Sequence, residues 1–228
     1  NATIIQTEIK VAEMIKYVDN TFHAIKVTFA NEIGSICRLH DIDSHQVMSI
    51  FLMDKKLNLS PYYFKPGFAF GGSCLPKDVM ALRNRAKELR LSCPLIESIM
   101  PSNDEHINRA INLIMQQNRK NIGIFGIAFK NNTSDIRNSS AISLIDRLFE
   151  LGYKRLFDKG YSIQIYDPNY EKFDFDNLPP FIPPLLNSSL NKTVSNSDIL
   201  IITIADDIFR NIPRLMREEQ VLIDLVHL

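Results

Sequence analysis

The spacing of hydrophobic residues changes near residue 119, and this change divides the chain into two differently folded parts. Before it, apolar residues recur with the period of an α-helix, most regularly between Val11 and Ile36. After it, short apolar runs alternate with amphipathic segments, a pattern typical of parallel strands connected by helices. We therefore expect an all-helical domain over residues 1–118 and a Rossmann-like domain with a parallel sheet over residues 119–228.

Helical periodicity and capping residues predict four helices in the first part. The second of them begins at an N-cap formed by Asp43 and Ser44 and ends near Lys55. The other three are predicted over residues 8–40, 76–89 and 94–117. Residues 58–74 form a long loop rich in aromatic residues and glycine. Long irregular loops inside compact domains are usually functional, so this loop is the first place to look for a site.

The apolar runs of the second part predict four strands separated by helices or loops. A helix is expected over residues 139–151 with Gly152 as its C-cap, and another near residues 207–216. Residues 169–197 are rich in proline and asparagine and are expected to be mostly irregular. The strands are predicted at residues 120–129, 161–168, 197–205 and 221–226.

Composition and charge exclude several classes of protein. The formal net charge is zero, so no long-range field attracts nucleic acid or an anionic membrane. No apolar run approaches the roughly 20 residues of a membrane span, and the first residues show no signal-peptide pattern. The three cysteines lack disulfide-framework spacing, which indicates a reducing compartment. We expect a cytoplasmic protein with neither a nucleic-acid partner nor a membrane or metal site.

One cysteine lies in a setting that favours chemistry. Gly71 and Gly72 let the backbone approach a ligand closely, and Cys74 follows them just before a predicted helix, whose N-terminus favours a thiolate. Lys77 adds a cation one turn away. Asp78 lies four residues after Cys74 on the same helical face, where it could orient or deprotonate a water molecule. Taken alone, the pattern is equally compatible with a structural cysteine in a tight turn.

Three separated segments carry a family resemblance. They are FGGSCLPKD at residues 70–78, EMIKYVDNTFHAIKVTFANEIG at residues 13–34 and FGIAFKNNTSDIRNSS at residues 125–140. In this order they resemble the UDP-glucose/GDP-mannose dehydrogenase family, and the similarity runs from about Glu13 to Val226. The segment KLNLSPYYFKPGFAFGG, which ends at Gly72, resembles the substrate loop of the GDP-mannose branch.

The resemblance implies an NAD-dependent enzyme that oxidises C6 of a nucleotide-linked hexose twice, from alcohol to carboxylate. It implies GDP-mannose as the substrate and GDP-mannuronate as the product. Cys74 would be the nucleophile, forming a thiohemiacetal and then a thioester. Lys16 and Asn20, whose i, i+4 spacing places them on one helical face, would stabilise the oxyanion, and Asp78 would help to activate the hydrolytic water. Without the resemblance, Lys16 and Asn20 would be interpreted as a solvated lysine and a surface asparagine.

Further positions match the family's ligand contacts. Lys65 stands where the family has arginine, so the charge is kept but the bidentate grip on phosphate is lost. A lone histidine such as His23 also suits a structural role, and Lys130 and Arg137 also suit a solvated lysine and an ion pair with Asp135. Lys77 and Arg137 would contact NAD. The substrate contacts would be His23, Asn31, Asn58, Tyr62, Tyr63, Lys65, Phe68, Gly71 and Lys130; of these, the resemblance implies that Asn58, Tyr62 and Tyr63 reach across a dimer.

The resemblance also implies that the domain holding most of the NAD lies outside these residues. The turn from Gly123 to Gly126 is only a fragment of a dinucleotide fingerprint, and the C-terminal sheet would bind the nucleotide of the sugar. We expect this chain alone to be inactive and not to bind NAD, and we expect a homodimer through the first helix. Three alternatives remain open: a UDP-sugar dehydrogenase, a non-catalytic nucleotide-sugar-binding module, and a dimerisation unit with an inert thiol.

Overall fold

A computed structural model describes residues 5–39, 41–55, 65–88, 90, 94–153 and 162–228. It contains a helical region followed by a parallel-sheet α/β domain, which confirms the predicted fold class. The helices of the first region are α1 (Ile9–Leu39), α2 (Ser44–Phe51), α3 (Leu75–Glu88) and α4 (Pro94–Gln116). The proposed domain boundary at residues 118/119 falls between α4 and the first strand and stays a prediction.

Helix α1 is the long amphipathic helix that the periodicity predicts. Ala24 and Ala30 are fully buried and pack against the other helices. Seven large apolar side chains among the described residues of α1 remain exposed in the single chain: Ile9, Val11, Met14, Ile15, Val18, Phe22 and Phe29. Within the described ranges, no helix combines the length and apolar character that crossing a bilayer would require.

The beginning of α2 follows the predicted N-cap. The carboxylate of Asp43 accepts hydrogen bonds from the backbone N–H groups of His45 at 2.8 Å and Gln46 at 3.2 Å. The helix ends at Phe51 instead of near Lys55. Gly34 of α1 makes a close contact with the loop before α3, since a Cβ added there would lie 2.8 Å from Cβ of Pro66.

The second region is a five-stranded parallel sheet in the order β3-β2-β1-β4-β5. The chain order reverses between β1 and β4, and open α/β sheets commonly bind ligands at such a switch point. The elements in chain order are β1 (Asn121–Phe125), α5 (Ser140–Leu148), β2 (Ser162–Tyr166), β3 (Leu186–Asn187), α6 (Leu190–Ser195), β4 (Ile199–Ile202), α7 (Ile212–Leu215) and β5 (Val221–Asp224).

Two predictions for this region are wrong. Gly152 is not the C-cap of α5, which ends at Leu148; a π-helical turn, Phe149–Tyr153, continues the chain. The buried ring of Phe149 packs edge-on against Phe181 with centroids 5.2 Å apart, and this tertiary contact holds the chain in helical form past the helix end.

Residues 169–197 are also more regular than expected, because they contain β3, α6 and several short 3₁₀ turns. Strand β3 pairs through only two residues at the sheet edge, where the Asn187 amide donates to Gln164 at 3.1 Å. An edge strand this short carries no alternation of apolar and polar residues from which it could be predicted.

One hydrophobic core joins the two regions. Ile107 and Ile111 of α4 belong to the same buried cluster as Ile122 and Ile124 of β1. Phe68, from the loop before α3, is in that cluster too. The guanidinium of Arg147 on α5 adds a polar link, since it donates to the Asn108 side chain of α4 at 2.6 Å. The loop before α3 therefore lies at the junction of both regions.

The turn after β1 depends on a glycine. Gly126 has a φ of +95°, and an added Cβ would lie 2.2 Å from Cγ1 of Ile204. We expect Gly126→Ala to lower the free energy of unfolding by about 2 kcal/mol, because it adds both backbone strain and overpacking. Urea unfolding measures the change. Gly67→Ala is the matched control, since its Cβ would meet nothing nearer than 3.9 Å; equal losses in both variants would contradict the prediction.

Candidate active site

The described part of the loop before α3, residues 65–74, is called the thiol loop from here on. Cys74 is exposed at its end, and its carbonyl accepts the backbone N–H of Asp78 at 3.0 Å as α3 begins. Close packing, as well as ligand access, explains why residues 71 and 72 are glycines. A Cβ at Gly71 would lie 2.3 Å from the carbonyl oxygen of Asn138, and one at Gly72, where φ is +87°, would lie 2.7 Å from the Phe129 ring. The glycines let the thiol loop dock against the α/β domain.

The carboxylate of Asp78 gathers the polar side chains around the thiol. Its Oδ2 accepts from Nζ of Lys16 at 3.2 Å and from the Asn20 amide. The ammonium of Lys77 lies 3.4 Å from Oδ1. The Asp78 side chain is fully buried, whereas both lysines are mostly exposed. The packing of α1 against α3 thus brings Lys16, Asn20, Lys77 and Asp78 together next to Cys74.

These contacts keep the cluster charged at neutral pH. Burial acts to raise the pKa of Asp78, but hydrogen bonds from Asn20, Lys16 and Lys77 outweigh it, so this pKa lies below its usual value. The hydrogen bond to Asp78 raises the pKa of Lys16. The negative charge of a Cys74 thiolate acts on Lys16 in the same direction. Lys16 is therefore an ammonium donor facing a carboxylate.

Two further predicted residues approach the thiol loop from the α/β domain. The Arg137 guanidinium forms a bidentate pair with Asp135, with Nη2 to Oδ2 at 2.6 Å, and this hydrogen bonding raises the pKa of Arg137. The Lys130 ammonium lies 5.2 Å from the ring centroid of Phe129, the same ring that covers Gly72. Both cations are largely exposed, so they remain available to an anionic ligand.

Comparison with known proteins decides the family. Residues 10–105 match the profile of the UDP-glucose/GDP-mannose dehydrogenase family, central domain, and residues 123–228 match that of the same family's UDP binding domain. The chain belongs to this family. GDP-mannose 6-dehydrogenase of Pseudomonas putida is 41% identical over 234 residues, which is 99% of this chain and 52% of that protein.

Solved structures agree in sequence and fold. A ternary complex of GDP-mannose dehydrogenase from Pseudomonas aeruginosa is 39% identical with a TM-score of 0.68, over 98% of this chain and 51% of that one. A UDP-glucose dehydrogenase from Pyrobaculum islandicum is 25% identical with a TM-score of 0.85, over 100% of this chain and 50% of that one. The chain spans about half the length of the relatives it matches.

The remaining predicted ligand contacts of this dehydrogenase-family chain are spread along α1 and the thiol loop. His23 is half-buried one turn after Asn20, and Lys65 is exposed. Asn31 lies 11 residues beyond Asn20, about 16 Å along the helix. With Phe68 it lines a cavity of about 510 Å³, and neither Cys74 nor Asp78 reaches that cavity. Only an elongated ligand could contact both ends.

Asn58, Tyr62 and Tyr63 lie outside the described residues and stay predictions. In the described ranges, no group of three or more histidine, cysteine or acidic side chains is placed to hold a metal ion. Cys37 is buried, which suits a small packing residue.

Sequence reasoning missed a buried aspartate at the carboxyl end of β2. Oδ2 of Asp167 accepts from the backbone N–H groups of Ile127 at 2.7 Å and Ala128 at 3.3 Å. In a Rossmann fold, N–H groups at this end of the first strand bind the pyrophosphate of a dinucleotide. Because an internal carboxylate already occupies them, this turn does not fit NAD.

The Asp78 cluster makes a prediction about stability. Asp78→Asn should lower the free energy of unfolding at neutral pH by about 1 kcal/mol, because the buried acceptor loses its charge while solvent screens the exposed lysines. An aspartate with a lowered pKa stabilises the fold above its ordinary pKa of 3.8, and this contribution disappears as pH falls through the lowered value. The difference between parent and variant should therefore shrink in acid.

Urea unfolding at neutral pH and near pH 3 measures both differences. Asp207→Asn is the control, because its pair with Arg210 is exposed and should contribute little at either pH. A difference in free energy of unfolding between parent and Asp78→Asn that stays constant or grows in acid would contradict the stabilising role given to the charged Asp78 carboxylate.

Proposed function

We propose that the natural protein containing these residues is an NAD-dependent dehydrogenase that oxidises C6 of GDP-mannose twice to give GDP-mannuronate. One observation carries the proposal: the donors of Lys16 and Asn20 converge on a single oxygen beside the exposed thiol of Cys74. An ammonium carries three N–H donors and a side-chain amide two, so both groups can also donate to a developing oxyanion next to Asp78. The family membership and the similarity to named GDP-mannose 6-dehydrogenases support the same function.

In the proposed reaction, NAD supplies the acceptor for the hydrides that leave C6. The thiolate of Cys74 adds to the C6 aldehyde, forming a carbon–sulfur bond while the carbonyl oxygen takes the negative charge. Lys16 and Asn20 stabilise that oxygen, and its protonation gives the thiohemiacetal. Loss of a hydride from carbon and a proton from the hydroxyl leaves the thioester. Water then adds, the carbon–sulfur bond breaks, and the carboxylate and the Cys74 thiol are released.

Asp78 supports this chemistry by positioning the two donors. Its enclosed carboxylate holds the side chains of Lys16 and Asn20 in one place. We propose that any water it helps to activate lies beside these two donors, because the carboxylate itself has no exposed surface. The electrostatic gain for the oxyanion then requires no rearrangement during the reaction.

Contacts with the two ligands follow from the exposed cations. We propose that Lys77 and Arg137 contact phosphate oxygens of NAD, and that most of the NAD is held by residues outside this chain. A nucleotide sugar would extend from Cys74 along α1 and the thiol loop, with the α/β domain holding its nucleotide. The proposed substrate contacts are His23, Asn31, Asn58, Tyr62, Tyr63, Lys65, Phe68, Gly71 and Lys130.

A UDP-sugar substrate is the second candidate. It is favoured by the fold similarity to the UDP-glucose dehydrogenase from Pyrobaculum islandicum. Sequence identity favours the GDP-mannose assignment. NADH formation by the full-length protein with GDP-mannose and with UDP-glucose distinguishes the two: GDP-mannose should give the higher kcat/KM, and the reverse order would select the UDP-sugar.

Cys74→Ser in the full-length protein should abolish GDP-mannuronate formation while leaving the fold intact. An alcohol is a weaker nucleophile than a thiolate at neutral pH and a poorer leaving group in the hydrolysis. The Tm and GDP-mannose binding should stay near the parent's values. NADH formation, calorimetry and thermal unfolding on one preparation provide the measurements.

Cys37→Ser is the matched control, since it places a hydroxyl at a buried position. It should lower the Tm but retain activity in proportion to the folded protein. Near-normal product formation by Cys74→Ser would end the proposed mechanism.

We also propose a homodimer through α1, because its exposed apolar side chains form a stripe that one chain leaves uncovered. Light scattering at micromolar concentration should give twice the 26.2 kDa chain mass. Val18→Asp should shift the mass toward the monomer, because it introduces a charge into the stripe. Leu95→Asp, at an exposed apolar position on α4, should not. A monomeric parent would refute the interface.

A further inference from the structure

The backbone of the thiol loop belongs to no helix or strand, and side chains from elsewhere supply its hydrogen-bond partners. Asn31 of α1 accepts the N–H of Gly67 at 2.9 Å and donates to the carbonyl of Phe68 at 3.4 Å. Asn103 of α4 bonds both backbone groups of Phe70. Its Oδ1 accepts the Phe70 N–H at 2.8 Å, and its Nδ2 donates to the Phe70 carbonyl at 3.0 Å. Both asparagines are buried.

The α/β domain supplies further contacts. The Ser140 hydroxyl at the start of α5 lies 2.8 Å from the carbonyl of Ala69 and 3.0 Å from that of Phe70. Asn138 forms a pair of bonds with Gly72, accepting its N–H at 3.3 Å and donating to its carbonyl at 3.2 Å. The peptide groups just before Cys74 are thus held from both sides.

Phe70 is the centre of this arrangement. Its buried ring packs with Ala24, Val79 and Ile99 of the three long helices, four residues before Cys74. The amide of Asn103 fixes the orientation of the Phe70 peptide groups as a partner strand would. Three residues separate Phe70 from Cys74, and the contacts of Gly71 and Gly72 with Asn138 restrain this short segment. A change in the direction of the Phe70 peptide groups therefore shifts Cys74.

We propose that Asn103 is a positioning residue, which places the thiol of Cys74 against the donors of Lys16 and Asn20. This role rests on the proposed dehydrogenase function. Asn103 touches neither the thiol nor the Asp78 cluster in any described hydrogen bond, so it acts through the backbone of Phe70. Asparagine suits the task because its short side chain carries an acceptor and a donor on one rigid group.

The test is Asn103→Asp in the full-length protein, measured across a range of pH. The new carboxylate still accepts the N–H of Phe70, but its second oxygen faces the Phe70 carbonyl and cannot donate until it is protonated. At neutral pH, kcat per folded protein should fall by about 10- to 100-fold, the scale for a reacting group displaced by about 1 Å. KM for the nucleotide sugar should change less than about threefold, because none of the proposed substrate contacts is itself substituted. The loss in kcat should shrink as pH is lowered.

Asn84→Asp makes the same chemical change at an exposed position of α3 and should leave kcat and its pH profile at the parent's values. Thermal unfolding at each pH gives the folded fraction used to scale kcat. If Asn103→Asp does not fold, Ser140→Ala replaces it, since it removes the second side-chain donor near the Phe70 carbonyl, the Ser140 hydroxyl. It should lower kcat severalfold at constant KM.

Normal kcat per folded protein in Asn103→Asp, or a loss that does not diminish in acid, overturns the positioning role. So does normal kcat in Ser140→Ala where that variant is used. A parent that forms no NADH with any nucleotide sugar refutes the proposed function instead, so the two failures are distinguishable.

Discussion

The structure depends on satisfying the backbone of a buried, irregular loop. A buried peptide group without a hydrogen-bond partner costs about 1–3 kcal/mol, and the thiol loop has no neighbouring strand to supply partners. Asn31, Asn103, Asn138 and Ser140 supply them instead. Because these residues belong to α1, α4 and the beginning of the α/β domain, the loop can be satisfied only when both regions dock on it. One buried hydrophobic cluster joins the two regions at the same junction.

A second constraint links that docking to the candidate chemistry. Cys74 ends the loop and Asp78 lies one turn into α3, so the position of the loop also determines where the buried carboxylate lies. The carboxylate in turn draws Lys16 and Asn20 of α1 to one point. The distance between thiol and donors therefore depends on helix packing, which is stiff, and not on the loop alone.

Predictions from sequence succeeded where the cause is local. The 3.6-residue period predicted α1, the N-cap at Asp43 predicted the beginning of α2, and helical spacing placed Lys16 and Asn20 on one face. The predictions failed where a distant contact decides the outcome. The C-cap at Gly152 was wrong because of a contact between Phe149 and Phe181. Asn103 and Asp167 were missed because their partners lie 33 and 40 residues away.

The most direct test of the central claim is peptide mass spectrometry on the full-length protein, quenched during turnover with GDP-mannose and NAD. The account predicts that the peptide containing Cys74 carries a covalently attached nucleotide-sugar acyl group, and that alkylating this residue stops turnover. An adduct on the peptide of Cys37 or Cys93 instead, or turnover that continues after complete alkylation of Cys74, would contradict it.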